Sequence, residues 1–204
     1  MADGVFITLE GIDGVGKTTQ AQRLQKRIAA EGYGVVHTRE PGGTAIGSKI
    51  RSILLDADHK DMVAATEILL YAADRAQHAA QVILPALQRG DWVVCERFID
   101  SSLAYQGYGL GWDRKAIAQI NQWAVLDLTP QLTICLDHDP ALALSRAGRD
   151  RVEQRTLEYY RKERFGFLDM AAQAPSRWAV ISAAGDMDHI ELLVWEQVQR
   201  RLML

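Results

Sequence analysis

An apolar run, Val5-Phe6-Ile7-Thr8-Leu9, leads into Gly11-Ile12-Asp13-Gly14-Val15-Gly16-Lys17-Thr18, and helical periodicity begins at Lys17. Few patterns constrain a fold as tightly. A strand, then G-x-x-x-x-G-K-T, then a helix is a phosphate-binding loop. Its backbone N–H groups line a cup of phosphate size, and the helix N-terminus adds positive potential. Gly11 and Gly16 supply the turn and the close approach. Lys17 brings a point charge to the β- and γ-phosphates of a nucleotide, and the Thr18 hydroxyl offers a ligand to Mg²⁺. The whole stretch Gly11, Ile12, Asp13, Gly14, Val15, Gly16, Lys17 and Thr18 is the expected nucleotide-binding element.

The rest of the chain has the rhythm such a loop needs. Apolar strand candidates fall at 4–10, 34–39, 92–96, 132–137 and 178–182. Helical periodicity covers 17–31, 45–55, 62–89, 113–127, 139–147, 152–173 and 187–202, and turn chemistry at Gly32, Pro41-Gly42-Gly43, Gly90-Asp91, Thr129-Pro130 and Gly185-Asp186 separates the segments. Strands alternating with helices predict an α/β fold with a parallel sheet covered on both faces. No linker or internal repeat divides the 204 residues, which are expected to form a single domain. Ligands in such folds bind outside the carboxyl ends of the strands.

Composition narrows the partner. The net charge is −3, so nothing points to a nucleic-acid surface, and a small phosphorylated molecule in a local basic cleft is expected instead. No stretch reaches 18 apolar residues, which argues against a membrane span, and no signal peptide is evident. Cys95 and Cys135 each sit in an apolar strand-like run and are expected to be buried free thiols in a reducing, cytoplasmic compartment.

The strand ends carry chemistry. The third ends in Glu96-Arg97, a carboxylate placed to hold Mg²⁺ or its waters beside a guanidinium that can fork onto a phosphate. The fifth runs into Ala183-Ala184-Gly185, where a base edge could lie. Six arginines fall between 146 and 164. Such a run is usually a solvated helix face. Gly148 breaks this one, and opposite a phosphate loop it predicts a short lid, about 144–155, able to close over transferring phosphates.

Taken together, Glu10 to Thr19, Arg39-Glu40-Pro41-Gly42-Gly43-Thr44, Tyr71-Ala72-Ala73-Asp74-Arg75, Glu96 to Gly107 and Asp150-Arg151-Val152-Glu153 resemble the bacterial thymidylate kinases, from about residue 5 to 187. The resemblance implies a P-loop kinase fold, a five-stranded parallel sheet in the order 2-3-1-4-5, and transfer of the γ-phosphate of ATP to dTMP. It also implies Mg²⁺ held by Thr18 and Glu96, and a homodimer for which the Ala-rich helix 62–82 is a plausible interface. Asp13 resembles the carboxylate that meets the sugar 3′-hydroxyl or the metal shell. Tyr71 stands where an aromatic stacks thymine, Arg75 on the base and phosphate side, and Arg97 where the acceptor phosphate is oriented. Ser102, Tyr105 and Gln106 lie where the base edge is held and a 2′-hydroxyl excluded, and Arg39 belongs to the same acceptor site. In one class of the family the loop itself carries an arginine. Here that position is Gly14, so Arg146, Arg149 and Arg151 of the lid are expected to take over. The family usually has D-R-Y where this chain has Glu96-Arg97-Phe98. Two other readings stay open from sequence: a kinase for another nucleoside or nucleotide on the same fold, and a nucleotide-binding module without catalysis. A GTPase switch would need N-K-x-D, which is absent.

Overall fold

A computed structural model of the chain describes residues 4–144, 151–152 and 155–203. Its strands are β1 (Phe6–Glu10), β2 (Val35–Arg39), β3 (Trp92–Glu96), β4 (Leu132–Asp137) and β5 (Trp178–Ser182). They form one parallel sheet in the order β2-β3-β1-β4-β5. The expected order is therefore the observed one. β1 lies at the centre with every residue buried, which is why it reads as an unbroken apolar run instead of an alternating one. Its mid-strand polar side chain, Thr8, meets Thr133 of β4 at the same register, Oγ1 to Oγ1 2.9 Å. Full burial of Phe6, Ile7 and Leu9 stabilises the sheet by about 1.5–3 kcal/mol each.

Helices α1 (Lys17–Ala30), α2 (Ala45–Leu55) and α3 (Ala64–His78) lie in the first half of the chain. α1 inserts Ala21, Leu24 and Ile28 into the core. The predicted helix 62–89 is not uniform: α3 passes through a π-helical turn, Ala79–Ile83, into α4 (Leu84–Gln88). Pro85 explains this, because it has no N–H to give and the wider winding accommodates the gap. Between β3 and residue 113 no element was expected. The structure has α5 (Ile99–Ser102) and then a π-helical segment, Leu103–Gly109. After these come α6 (Arg114–Ala124), α7 (Pro140–Ala143), α8 (Leu157–Gln173) and α9 (Met187–Leu202). α8 starts five residues later than the periodicity suggests, because the Thr156 hydroxyl accepts from the Tyr159 N–H and caps it there. Cys95 and Cys135 are buried and free on β3 and β4, with β1 between them, as the strand order requires. Among the described residues no helix is long and apolar enough to cross a membrane.

Candidate active site

The loop after β1 depends on two glycines. Gly11 has φ +131°, and a Cβ there would stand 2.4 Å from the Leu136 carbonyl oxygen, so no other residue fits. Gly16 has φ +93° and caps α1, releasing the chain into helix at Lys17. The Lys17 ammonium folds back onto its own loop and donates to the Gly11 and Ile12 carbonyls, 2.7 Å each. Burial, followed by repulsion from Arg97, pushes this amine down to about 8.

Past the loop opens a cleft of about 670 Å³. Asp13, Gly14, Val15, Gly16, Lys17 and Thr18 line it. Gly11 and Ile12, expected among the ligand contacts, lie outside its wall, where they serve as the carbonyl seat for Lys17.

On the metal side, the exposed Thr18 hydroxyl donates to Glu96 Oε2 at 2.5 Å, and His37 Nε2 lies 2.8 Å from Glu96 Oε1. Burial raises the Glu96 carboxyl, but the hydrogen bonds from His37 and Thr18 bring it below the usual range, so it is an anion. A hydroxyl and a carboxylate beside a phosphate cup form an all-oxygen donor pair of the kind Mg²⁺ takes together with nucleotide phosphates. No cluster of three or more metal-ligating side chains exists among the described residues, and such a site needs none. The donors fit the expected ion.

Arg97 sits in left-handed backbone, φ +66°, at the end of β3. Holding a non-glycine residue there costs of order 1–3 kcal/mol. The twist brings its guanidinium onto Asp13 Oδ1 and to 4.9 Å from the Tyr105 ring centroid. The Tyr105 hydroxyl donates to Asp13 Oδ2 at 3.1 Å. Burial raises the Asp13 carboxyl, and Arg97 with Lys17 more than reverse this, so it too is an anion. One carboxylate, one guanidinium and one phenol thus stand together at the edge of the phosphate cup.

The opposite wall carries Arg39, Tyr71, Arg75, Ser102 and Gln106, as the sequence predicts. Tyr71 is half-buried on α3 and Arg39 is exposed. Arg75 is fully buried. It donates Nε to Glu40 Oε2 at 2.6 Å, Nη1 to Ser102 Oγ at 3.0 Å and to Asn121 Oδ1, and Nη2 to the Phe98 carbonyl at 3.0 Å. Four of its five N–H groups are engaged, so Arg75 braces the wall. Ala183, Gly185, Met187 and Ile190 also line the cleft, and Ala183 and Gly185 belong to the stretch expected for a base edge.

Of the three lid arginines expected to serve the phosphates, only Arg151 is among the described residues. Arg146 and Arg149 lie outside the described residues. Arg151 is absent from the cleft wall. It donates Nε to the Leu54 carbonyl at 2.8 Å and Nη2 to Glu67 Oε2 at 2.7 Å. Arg155 joins the same carboxylate, 2.9 and 2.7 Å from its two oxygens. The buried anion of α3 outcompetes the solvent-facing route to the phosphate cup. Glu67 and His37 are the residues the sequence reading missed. Glu67 stands four residues before Tyr71, on the same helix face, and that spacing is the one signal that pointed to it.

A parallel sheet, a phosphate-binding loop at the end of its central strand and a second wall of aromatic, guanidinium and amide groups define a P-loop nucleotide kinase. A family model described as thymidylate kinase matches residues 9–193. The chain is 50% identical over 201 residues to a thymidylate kinase of Synechococcus sp., covering 98% of this chain and 97% of that one. It is 47% identical over 205 residues to the thymidylate kinase of Deinococcus radiodurans, covering 98% and 99%. The crystal structure of thymidylate kinase from Ehrlichia chaffeensis matches with a TM-score of 0.82 at 37% identity, covering 97% of this chain and 99% of that one. The chain belongs to the thymidylate kinase family, whose reaction is the ATP-dependent phosphorylation of dTMP to dTDP.

Proposed function

We propose that the cleft performs this reaction with ATP on the Asp13–Thr18 stretch and dTMP against Tyr71, Arg75, Ser102, Tyr105 and Gln106, with Arg39 at the acceptor side. The observation that carries this assignment is the cluster of Asp13, Arg97 and Tyr105, which stands between the phosphate loop and the second wall. Arg97 holds the acceptor phosphate, Asp13 accepts from the sugar 3′-hydroxyl, and Tyr105 fills the space a 2′-hydroxyl would need. An oxygen of the dTMP phosphate then forms a bond to the γ-phosphorus. The bond from that phosphorus to the bridging oxygen breaks, and ADP leaves with the electron pair. The protein does no covalent chemistry; it positions, neutralises charge and excludes water. Lys17 leaves the Gly11 and Ile12 carbonyls to follow the transferring group. Thr18 and Glu96 would hold Mg²⁺, which supplies neutralisation of the β- and γ-oxygens when bound. Arg151 reaches the phosphates only by exchanging Glu67 for them, and Arg149 is its expected companion.

The chain works as one domain with its arginine-rich stretch as lid. The enzyme is a homodimer in this reading, supported by the exposed small and apolar residues Ala65, Leu69 and Ala73 along one face of α3. Its free buried thiols suit the cytoplasm, and its net charge of −3 suits mononucleotides with neither nucleic acid nor membrane as partner. A coupled ATP assay with dTMP, dUMP, UMP, CMP, AMP and GMP as acceptors tests the assignment. dTMP should give the highest kcat/KM, and preference for any other acceptor overturns it.

A further inference from the structure

Gln106 sits in the cleft wall with an unbalanced amide. Its Nε2 donates to Glu67 Oε1 at 2.8 Å, while its Oε1 has no hydrogen-bond partner and is out of reach of water. A buried acceptor without a donor is destabilising. Its orientation has a cause. An ionised carboxylate only accepts, so the amide must turn its NH₂ toward Glu67 and its oxygen away. Glu67 is itself almost fully buried, and it remains ionised because Arg151 and Arg155 both bind it. Burial raises its carboxyl, and the charge of Arg155 with the hydrogen bonds from Gln106, Arg151 and Arg155 bring it back below the usual range.

We propose that Glu67 is the positioning residue that sets base specificity: as an anion paired through both oxygens with Arg155, and shared with Arg151 until that side chain turns to the phosphates, it locks the Gln106 amide with its oxygen as acceptor for the base. Thymine in a nucleotide has one ring donor, N3–H. Cytosine has a lone pair at N3 and meets the same oxygen with repulsion. The clamp therefore selects a pyrimidine with an N3–H. Because Oε1 is closed off from water, the base meets it only as neighbouring side chains part. The inference rests on dTMP occupying this wall and goes further by naming what fixes the polarity of that wall.

The test is the ratio of kcat/KM for dTMP to that for dCMP, with calorimetric affinities for both in the absence of ATP. In Glu67→Gln the new side chain can donate as well as accept, so Gln106 is free to flip. The ratio should fall at least about tenfold, with dCMP affinity rising, since a site built around one hydrogen-bond polarity strongly rejects the other. General damage would lower both affinities and leave the ratio in place. If Glu67→Gln fails to fold because two guanidinium groups lose their counter-ion, Glu67→Gln with Arg155→Met removes the imbalance and should show the same fall. An unchanged ratio in a folded variant overturns the proposal. Failure of the wild-type protein to prefer dTMP over dCMP would instead overturn the acceptor assignment beneath it.

Discussion

His37 Nε2 lies 2.8 Å from Glu96 Oε1 across the adjacent strands β2 and β3, while Glu96 Oε2 takes the Thr18 hydroxyl at 2.5 Å. Both oxygens of the expected metal carboxylate are thereby held. Glu has one more rotatable bond than the aspartate common in the family, and His37 removes that freedom. Groups that orient a ligating carboxylate typically contribute 10–100-fold in metal affinity or activity. His37→Ala should raise the Mg²⁺ concentration for half-maximal turnover roughly tenfold. The dTMP affinity measured by calorimetry should stay put. An unaltered Mg²⁺ titration would show that the pair is only structural.

Lys17 gives a prediction in pH. Its folded pKa is lowered to about 8, so the ammonium that attracts phosphate disappears from the free enzyme as pH rises through that value. The profile of kcat/KM for ATP reports the free enzyme and should bend downward near pH 8. Lys17→Arg should remove that bend, since a guanidinium does not titrate in the range. Lys17→Ala should lower kcat by about 10²-fold with the fold retained. A flat basic limb in the wild type would place the loss of charge elsewhere.

Arg75 and Arg97 should separate stability from catalysis. Removing Arg75 leaves the buried Glu40 carboxylate with His78 alone, 2.9 Å away. Breaking such a pair costs about 3–5 kcal/mol, and Arg75→Ala should lower Tm by on the order of 10 °C. Arg97→Ala, whose ion pair with Asp13 is partly open to the cleft, should lower Tm less than Arg75→Ala does and reduce kcat by about 10²-fold or more. Calorimetry and steady-state kinetics on the two variants would show whether the roles are reversed.

Tyr71 should act through its ring. Tyr71→Ala should weaken dTMP by about 1–3 kcal/mol, the usual worth of a base–aromatic stack, and leave ATP affinity alone. Tyr71→Phe should be mild. Tyr105→Ala should behave differently, eroding the preference for deoxyribose over ribose. Equal losses for ATP and dTMP in Tyr71→Ala would indicate general disruption.

The sheet was legible because its strands are apolar runs bounded by turn residues, and the phosphate loop was legible because its chemistry is local. The segment after β3 was not. Leu103–Gly109 has no helical apolar period, and its shape comes from packing: a Cβ at Gly109 would stand 2.5 Å from the Tyr159 ring. Yet that π-helical winding is what presents Tyr105 and Gln106, an instance of π-turns gathering at functional sites. The contact Arg151 makes in this structure was illegible for a related reason. A run of arginines points at phosphate by local logic, whereas its partner Glu67 lies 84 residues away. Long-range pairing of a buried charge leaves no trace in a window of sequence.

The phosphate loop does not hold a bare cation in wait. Its lysine already rests on two carbonyls of the same loop, so an arriving nucleotide exchanges one pair of oxygens for another. An occupant without phosphates has nothing to offer in that exchange, and the loop therefore grades its visitors by the charge they carry. The same seat serves at the end of the cycle. In the proposed reaction the ammonium would return to Gly11 and Ile12 as ADP departs, so that product release would strand no buried charge.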